Sequence, residues 1–143
     1  MANLDILNTL RFQENLGRYL KGLSSNTYEL SRDLEKIGRF TYSGYVFRGM
    51  AFNHPIDKHD IHEHYLCSWS KDIDTAVNFA LTNGRFKFLL IKRSTGYDLE
   101  KLLEYMKSNN LIVSKTLATA GAKREKEVLD KLTLTDTIFT ELL

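Results

Sequence analysis

The sequence is short of three features that would assign it to a particular class: cysteine, proline and long apolar runs. Its single cysteine, Cys67, cannot form an intrachain disulfide, which predicts a protein of the reducing cytoplasm. No run of about 18 apolar residues occurs, so we expect no transmembrane helix and no membrane partner. Residues 1–11 include an aspartate and no long apolar stretch, so they do not resemble a secretory signal.

The sequence also has almost no excess of charge of one sign, which limits the class of partner it can bind. The formal net charge is only +2, so we expect no nucleic-acid partner. Apolar and aromatic residues, by contrast, are present in ordinary amounts: 43% of the 143 residues are hydrophobic, including eight Phe and seven Tyr. Disordered chains are poorer in aromatic residues, and this length fits one domain with its own core. Composition therefore predicts a single globular domain over residues 1–143.

The spacing of apolar residues changes along the chain, from a helical N-terminal part, residues 1–39, to a mostly β core, residues 40–143. Glycine and Asn-Gly positions mark several of the element ends. This order of elements predicts the α+β class. The predicted elements are helices over 3–23, 25–37, 73–81 and 99–106, strands over 40–47, 65–69, 86–91, 111–114, 127–129 and 135–142, and a loop over 116–123.

The first motif with chemical content is an arginine followed by glycine at a predicted strand end, Arg48 and Gly49 in the run VFRGM. The planar guanidinium makes bidentate contacts with phosphate oxygens that a lysine cannot copy. Glycine beside it lets the backbone come close to a ligand. Taken alone, the pair also fits an ordinary arginine at a strand end, since most arginines lie at the surface.

The second motif is a pair of serines, Ser68 and Ser70, in the run CSWSKDIDTAVNFA. Alternation along a strand places both hydroxyls on one face, where they can orient a carboxylate or a ribose. The alternative is structural, with Ser70 capping the helix that follows and Ser68 serving the fold alone.

The third motif is a pair of glutamates, Glu125 and Glu127, which enters a predicted strand in the run REKEVL. Two residues apart in a strand, their carboxylates point the same way. One carboxylate in a sugar site can stabilise an oxocarbenium ion and hold a ribose hydroxyl, while its neighbour polarises an incoming nucleophile. The alternative is a solvated run of charges before a strand.

In this order and in these local contexts, the three motifs resemble the Arg-Ser-Glu class of ADP-ribosyltransferases, over about residues 45–143. The resemblance implies an ADP-ribosyltransferase-type split β-sandwich with N-terminal helices, with NAD as substrate and no metal. It implies a mono-ADP-ribosyltransferase that moves ADP-ribose to a target protein, on arginine, and releases nicotinamide. The small size resembles bacteriophage-encoded members, which modify host proteins in the host cytoplasm. Two alternatives stay open: a non-catalytic relative that binds and blocks a host factor, and an NAD glycohydrolase.

The resemblance also implies roles for the cofactor-binding residues. Arg48 is similar to the family arginine that binds the phosphate and ribose side of NAD, with Gly49 next to it. Ser68 resembles the first serine of the Ser-Thr-Ser motif, which positions the catalytic glutamate and the nicotinamide ribose. Ser70 matches the last serine of that motif, and Trp69 stands where the family has threonine.

The two glutamates receive separate catalytic roles from the same resemblance. Glu127 resembles the catalytic glutamate, which holds the ribose 2′-hydroxyl and stabilises the oxocarbenium ion. Glu125 resembles the residue that activates the acceptor, and a glutamate there is typical of members that modify arginine.

A histidine-rich stretch offers a competing interpretation. His62 and His64 would share one face of a strand, with Cys67 nearby, which resembles a partial zinc ligand set. The spacing matches no recognised zinc motif, so we predict no metal site. Cys67 with one of these histidines would make a nucleophile pair, but its apolar strand context favours a buried, inert thiol.

Overall fold

The computed structural model describes residues 3–120 and 126–142 and confirms the α+β class, with antiparallel strands and several helices. None of the helices in these two stretches is long and apolar enough to cross a membrane. The helices are α1 (Leu10–Leu20), α2 (Thr27–Ile37), α3 (Ile73–Asn83), α4 (Leu99–Ser108) and α5 (Lys115–Ala120). The strands are β1 (Gly44–Phe52), β2 (His64–Ser70), β3 (Phe86–Ser94), β4 (Tyr97–Asp98), β5 (Glu127–Leu132) and β6 (Ile138–Leu142).

The predicted first helix, over 3–23, is divided in the structure. A short 3-10 helix, Leu4–Asn8, comes first, and Thr9 follows it with extended backbone. The Thr9 hydroxyl then accepts the amide of Phe12 at 3.3 Å and so caps the start of α1. Periodicity alone did not detect this break because the apolar stripe continues on both sides of the cap.

Residues 111–114, predicted as a strand, are irregular, and the side chain of Gln13 explains why. Gln13 is fully buried, and its Oε1 accepts the amides of Val113 and Ser114 at 2.8 and 3.0 Å. Its Nε2 donates to the carbonyl of Leu111 at 2.8 Å. A single side chain therefore satisfies the backbone groups that a neighbouring strand would otherwise bond.

The predicted loop over 116–123 begins with a helical turn instead, since α5 includes its first residues. A Cβ added at Gly17 would lie only 2.7 Å from the backbone nitrogen of Leu117, so α1 and α5 pack closely because this position is glycine. The hydroxyl of Ser114 accepts the Leu117 amide at 3.1 Å. The packing of α5 on α1 therefore overrides the weak helical signal of a small-residue segment.

The chain forms two compact units. The first joins residues 1–41 with residues 97–125, so it includes α4 and α5 besides the predicted helical part over 1–39. Its apolar helix faces bury a common set of side chains. They are Leu7, Phe12, Leu16, Leu30, Leu34, Ile37, Leu99, Leu102, Met106 and Leu117.

The second unit, residues 42–96 and 126–143, is built on antiparallel strands in the order β5-β2-β1-β3-β6. One face of these strands buries an apolar cluster around Val46, Trp69, Leu90 and Val128. The other face of β1 packs against α3. A Cβ at Gly49 would stand 1.9 Å from the carbonyl oxygen of Ala76, so the helix rests directly on the strand backbone.

The two edges of β1 are paired very differently. With β3, the strand pairs along its whole length, from Gly44 opposite Ser94 to Phe52 opposite Phe86. With β2, the described residues pair at one register position, Phe47 opposite Ser70. Beyond that position the described residues of β1 and β2 form no further paired positions, and this unpaired stretch is called the opening between the two strands.

Candidate functional site

The predicted site residues lie on three neighbouring strands, β5, β2 and β1. Ser70 on β2 stands directly opposite Glu127 on β5, and Ser68 stands opposite Leu129. Residues opposite each other in an antiparallel pair point to the same face, and so do alternate residues of one strand. Ser68, Ser70 and Glu127 therefore share one face, although 57 residues separate Ser70 from Glu127 in the sequence (127 − 70).

Arg48 lies beside this group at the opening between β1 and β2. Because Phe47 is the residue opposite Ser70, alternation turns Arg48 to the other face of the strand, the face of Val46. Its guanidinium reaches across the opening, where Nη1 donates to the carbonyl oxygen of Ser68 at 2.6 Å. The Arg48 side chain thus contacts the serine motif at the backbone carbonyl of Ser68. Ser68 has no register partner on β1 among the described residues.

Two polar atoms of opposite charge are buried at this place. The Oε2 atom of Glu127 is buried, and so is the Nε atom of Arg48. Nε has no hydrogen-bond partner within residues 3–120 and 126–142. A buried donor left unsatisfied costs about 1–3 kcal/mol, so native proteins keep few of them without a reason. An anionic ligand that entered the opening would remove this cost.

The charge of Arg48 also acts on two side chains of β2. Burial lowers the pKa of His64, and the positive charges of Arg48 and His62 lower it further. His64 is therefore mostly neutral at neutral pH. Burial raises the pKa of the Cys67 thiol, although Arg48 and Lys92 oppose that shift. Cys67 stays protonated, so the geometry does not favour the nucleophile pair considered from the sequence.

Ser70 has a structural contact as well as its position beside Glu127. Its hydroxyl oxygen accepts the amide of Asp72 at 3.0 Å, in the turn that leads into α3. The Thr75 hydroxyl donates to Asp72 at 2.8 Å and lowers the pKa of that carboxyl. Asp72 and not Ser70 is the N-cap of α3, so Ser70 stabilises the turn before the helix while it shares a face with Glu127.

Gly49, predicted to bring backbone close to a cofactor, has a packing contact in the structure. The backbone that approaches it belongs to α3, at Ala76. Glu125, the predicted acceptor-activating residue, lies outside the described residues. In the part of the chain that the structure describes, His, Cys, Asp and Glu side chains form no group of three that could hold a metal ion.

Sequence reasoning missed a buried ionic contact under the strands. Lys92 is 4% exposed, and its Nζ lies 3.2 Å from Oδ2 of Asp130. The same nitrogen donates to the carbonyl of Lys131 at 2.9 Å and lies 5.5 Å from the centre of the Trp69 ring. The sequence did signal that Lys92 is buried, because it continues the alternate apolar positions of β3. Its partner Asp130 could not be predicted, because it depends on how β5 pairs in the sheet.

A cleft near the end of β1 was also missed. It encloses about 480 Å³, and its walls combine aromatic, aliphatic and titratable side chains. The available signal was the polar segment after Phe52, which contains Pro55 and the histidines. The lining residues are Phe52, His54, Pro55, Ile56, Asp60 and His62.

No family model, no curated protein and no solved structure matches this chain.

Proposed function

We propose that this chain is a mono-ADP-ribosyltransferase that moves ADP-ribose from NAD to a target protein and releases nicotinamide. One observation carries the proposal: Arg48, the serine pair and Glu127 meet on the adjacent strands β1, β2 and β5. These residues belong to three separate sequence motifs, and the order of strands brings the motifs together. The proposed fold is the split β-sandwich of this enzyme class, with the opening between β1 and β2 as its split.

In the proposed reaction, the bond between the nicotinamide nitrogen and C1′ of the ribose breaks. Nicotinamide leaves with the bonding electron pair and becomes neutral, while positive charge moves to the ribose ring. The carboxylate of Glu127 stabilises that oxocarbenium-like charge and accepts a hydrogen bond from the 2′-hydroxyl. A nucleophile of the target then attacks C1′ and loses its proton. Glu125 is proposed to orient an arginine side chain as that nucleophile.

Arg48 is proposed to bind the pyrophosphate of NAD. One Nη atom already donates to Ser68, but the guanidinium carries five N–H donors in a planar fork, and the buried Nε is among them. A phosphate at Nε would convert an unsatisfied donor into a charge-assisted hydrogen bond. Since Arg48 and Glu127 lie on opposite faces, the dinucleotide would pass through the opening between β1 and β2.

The target is proposed to be a host protein in the host cytoplasm, by analogy with the small bacteriophage-encoded members that the sequence resembles. The reaction requires no metal, because the leaving group is a neutral pyridine and the carboxylate supplies the electrostatic stabilisation.

The test is incubation of the chain with host-cell lysate and NAD labelled in the adenylate portion. We expect a labelled protein band with the wild-type chain and none with Glu127→Gln. Glu141→Gln is the matched control, because it makes the same change at an exposed position on the outer strand β6. If Glu127→Gln labels as strongly as Glu141→Gln, the proposed function is wrong.

A second candidate has its own support, since Arg48, Gly49 and Ser70 all have contacts that stabilise the fold without NAD. A non-catalytic relative that binds and blocks a host factor would need only such contacts. It would inhibit a host process equally well with Glu127 or Gln at position 127. An NAD glycohydrolase would instead release nicotinamide in buffer, with no labelled protein.

A further inference from the structure

The segment between β1 and β2, residues 53–63, is fixed at several points. Ile61 is 5% exposed and belongs to the apolar cluster under the strands. Asp57 and Asp60 form a capping box around a short 3-10 helix, Lys58–Asp60. The Asp57 carboxylate accepts the His59 amide at 2.8 Å, and the Asp57 amide donates to the Asp60 carboxylate at 3.0 Å. Glu63 accepts the amide of Leu134 at 2.8 Å. The segment therefore presents a preformed surface.

This segment closes one side of the 480 Å³ cleft, and Phe52 forms a rigid wall of it. The Phe52 ring packs at 6.0 Å against Phe88, which stacks at 4.7 Å on Phe139. On its exposed side, the His54 ring lies 6.4 Å from Phe52 at an angle of 43°. A cleft of this volume suits a small organic ligand, and two aromatic rings on its walls suit a flat one.

The polar groups of the cleft suit a ring that carries an amino or amide group. Asp60 lines the cleft beside His62. One of its oxygens accepts the Asp57 amide, but a carboxylate has about four acceptor sites, so it can also accept N–H groups of a ligand.

Arg48, the residue proposed to bind phosphate, lies on the same side of the strand as Phe52. Arg48 and Phe52 are four residues apart on β1 and share a face, which corresponds to ~13 Å at about 3.3 Å per residue. His64 is close enough to both Arg48 and His62 for their charges to lower its pKa. Arg48 and the cleft wall at Phe52 therefore lie on one face of β1, and His64 lies near both Arg48 and His62.

We infer that the cleft binds the planar heteroaromatic ring of a nucleotide, with Phe52 and His54 against the ring and Asp60 at its amino or amide edge. Identifying NAD as the natural source of that ring rests on the proposed function. Adenine and nicotinamide share the required chemistry, a flat ring with an NH2 group.

The experiment is an NMR titration of the full chain with AMP, nicotinamide mononucleotide and ribose 5-phosphate in parallel. We expect ligand-induced shifts of the His54 and Phe52 ring signals with at least one of the two mononucleotides. Shifts with AMP alone place adenine in the cleft, and shifts with nicotinamide mononucleotide alone place the pyridine ring there. Equal shifts with ribose 5-phosphate, or no shifts at these rings with any ligand, would overturn the inference.

The matched variants are His54→Ala and His59→Ala. Both histidines are exposed and belong to the same segment, but only His54 lines the cleft. We expect His54→Ala to weaken mononucleotide binding by about fivefold or more, as for the loss of one stacking contact, and His59→Ala to leave it unchanged. Equal weakening by both variants would contradict a specific ring site.

The same titration on Glu127→Gln separates this inference from the proposed function. Ring binding should persist in that variant, because the cleft lies at the far end of β1. Shifts at His54 in a wild-type chain that transfers no ADP-ribose would support the ring site and reject the enzyme. Transfer activity without any shift at His54 or Phe52 would support the enzyme and reject the ring site.

Discussion

The two edges of β1 have different neighbours and differ in how completely they are paired. Toward β3 the strand is fully paired, and Leu90 of β3 is completely buried in the apolar cluster. Toward β2 the pairing is confined, in the described residues, to Phe47 opposite Ser70. The carbonyl of Ser68 accepts a hydrogen bond from the Arg48 guanidinium. One strand thus forms a continuous ladder at one edge and has a largely unpaired stretch with buried polar groups at the other.

This comparison predicts that substitutions near the two edges have separable effects. Truncations on the β3 side should have the larger effect on the free energy of unfolding, while changes of Arg48 and Glu127 should alter NAD binding and transfer more than stability. A change on one side that produced the effect assigned to the other would contradict the division.

The largest effect is expected from Leu90→Ala on the β3 side. Leu90 is 0% exposed and packs within the apolar cluster, so truncation leaves a cavity and should cost ~2–5 kcal/mol of unfolding free energy. Urea denaturation followed by circular dichroism measures this cost. Ile138→Ala, at a position 61% exposed on β6, is the control and should stay within about 0.5 kcal/mol of wild type.

The next effect is expected from Glu127→Gln at the opening. Losing a charge that acts in the transition state should lower the rate of both ADP-ribose transfer and NAD hydrolysis by ~100- to 1000-fold, which is about 2.7–4 kcal/mol. Labelled transfer and nicotinamide release measure the two rates separately. Glu125→Gln should reduce transfer to protein and leave slow hydrolysis intact. Identical losses in both variants and both assays would contradict the division of labour between the glutamates.

A smaller effect is expected from Arg48→Ala, which should weaken NAD binding by ~1.5–3 kcal/mol, the scale of a lost charge-assisted hydrogen bond. Isothermal titration calorimetry measures it directly. Arg48→Lys should recover only part of the affinity, because an ammonium lacks the planar fork of donors. Unchanged NAD affinity in Arg48→Ala would remove this residue from the site.

The smallest effect is expected from Ser70→Ala, which removes the acceptor for the Asp72 amide at the start of α3. Loss of one such hydrogen bond should cost ~0.5–1.5 kcal/mol of unfolding free energy. Thermal unfolding monitored by circular dichroism detects it, and Ser70→Thr, which keeps a hydroxyl, should be closer to wild type. If Ser70→Ala lowers transfer activity with no loss of stability, its position beside Glu127 matters more than the turn.

Much of the secondary structure followed from local patterns in the sequence. The Asn26 cap and the left-handed Gly38 mark the two ends of α2, and the predicted helix over 99–106 is confirmed as α4. Long-range contacts explain the misses. A buried Gln13 side chain replaces a strand partner for residues 111–114, and no local pattern reveals which distant backbone a glutamine will bond.

Sequence motifs propose residues for the candidate site but do not give their geometry. Motif resemblance selected Arg48, Ser68, Ser70 and Glu127, and it could not show that Ser70 stands opposite Glu127. The face of Arg48 depends on a register position, Phe47 opposite Ser70, which is set by the pairing of whole strands. The cleft at Phe52 depends on how residues 53–63 fold back onto the core, so composition alone showed only a polar segment.

The close approach of α3 to β1 has a consequence for mutational scanning. Any side chain at position 49 would collide with the Ala76 carbonyl, so substitutions there should be as poorly tolerated as those at position 127. The cause is steric at the glycine and, on the proposed function, chemical at the glutamate. A fitness map of this chain would score both positions alike, and a parallel measurement of the amount of folded protein would distinguish the packing glycine from the proposed catalytic carboxylate.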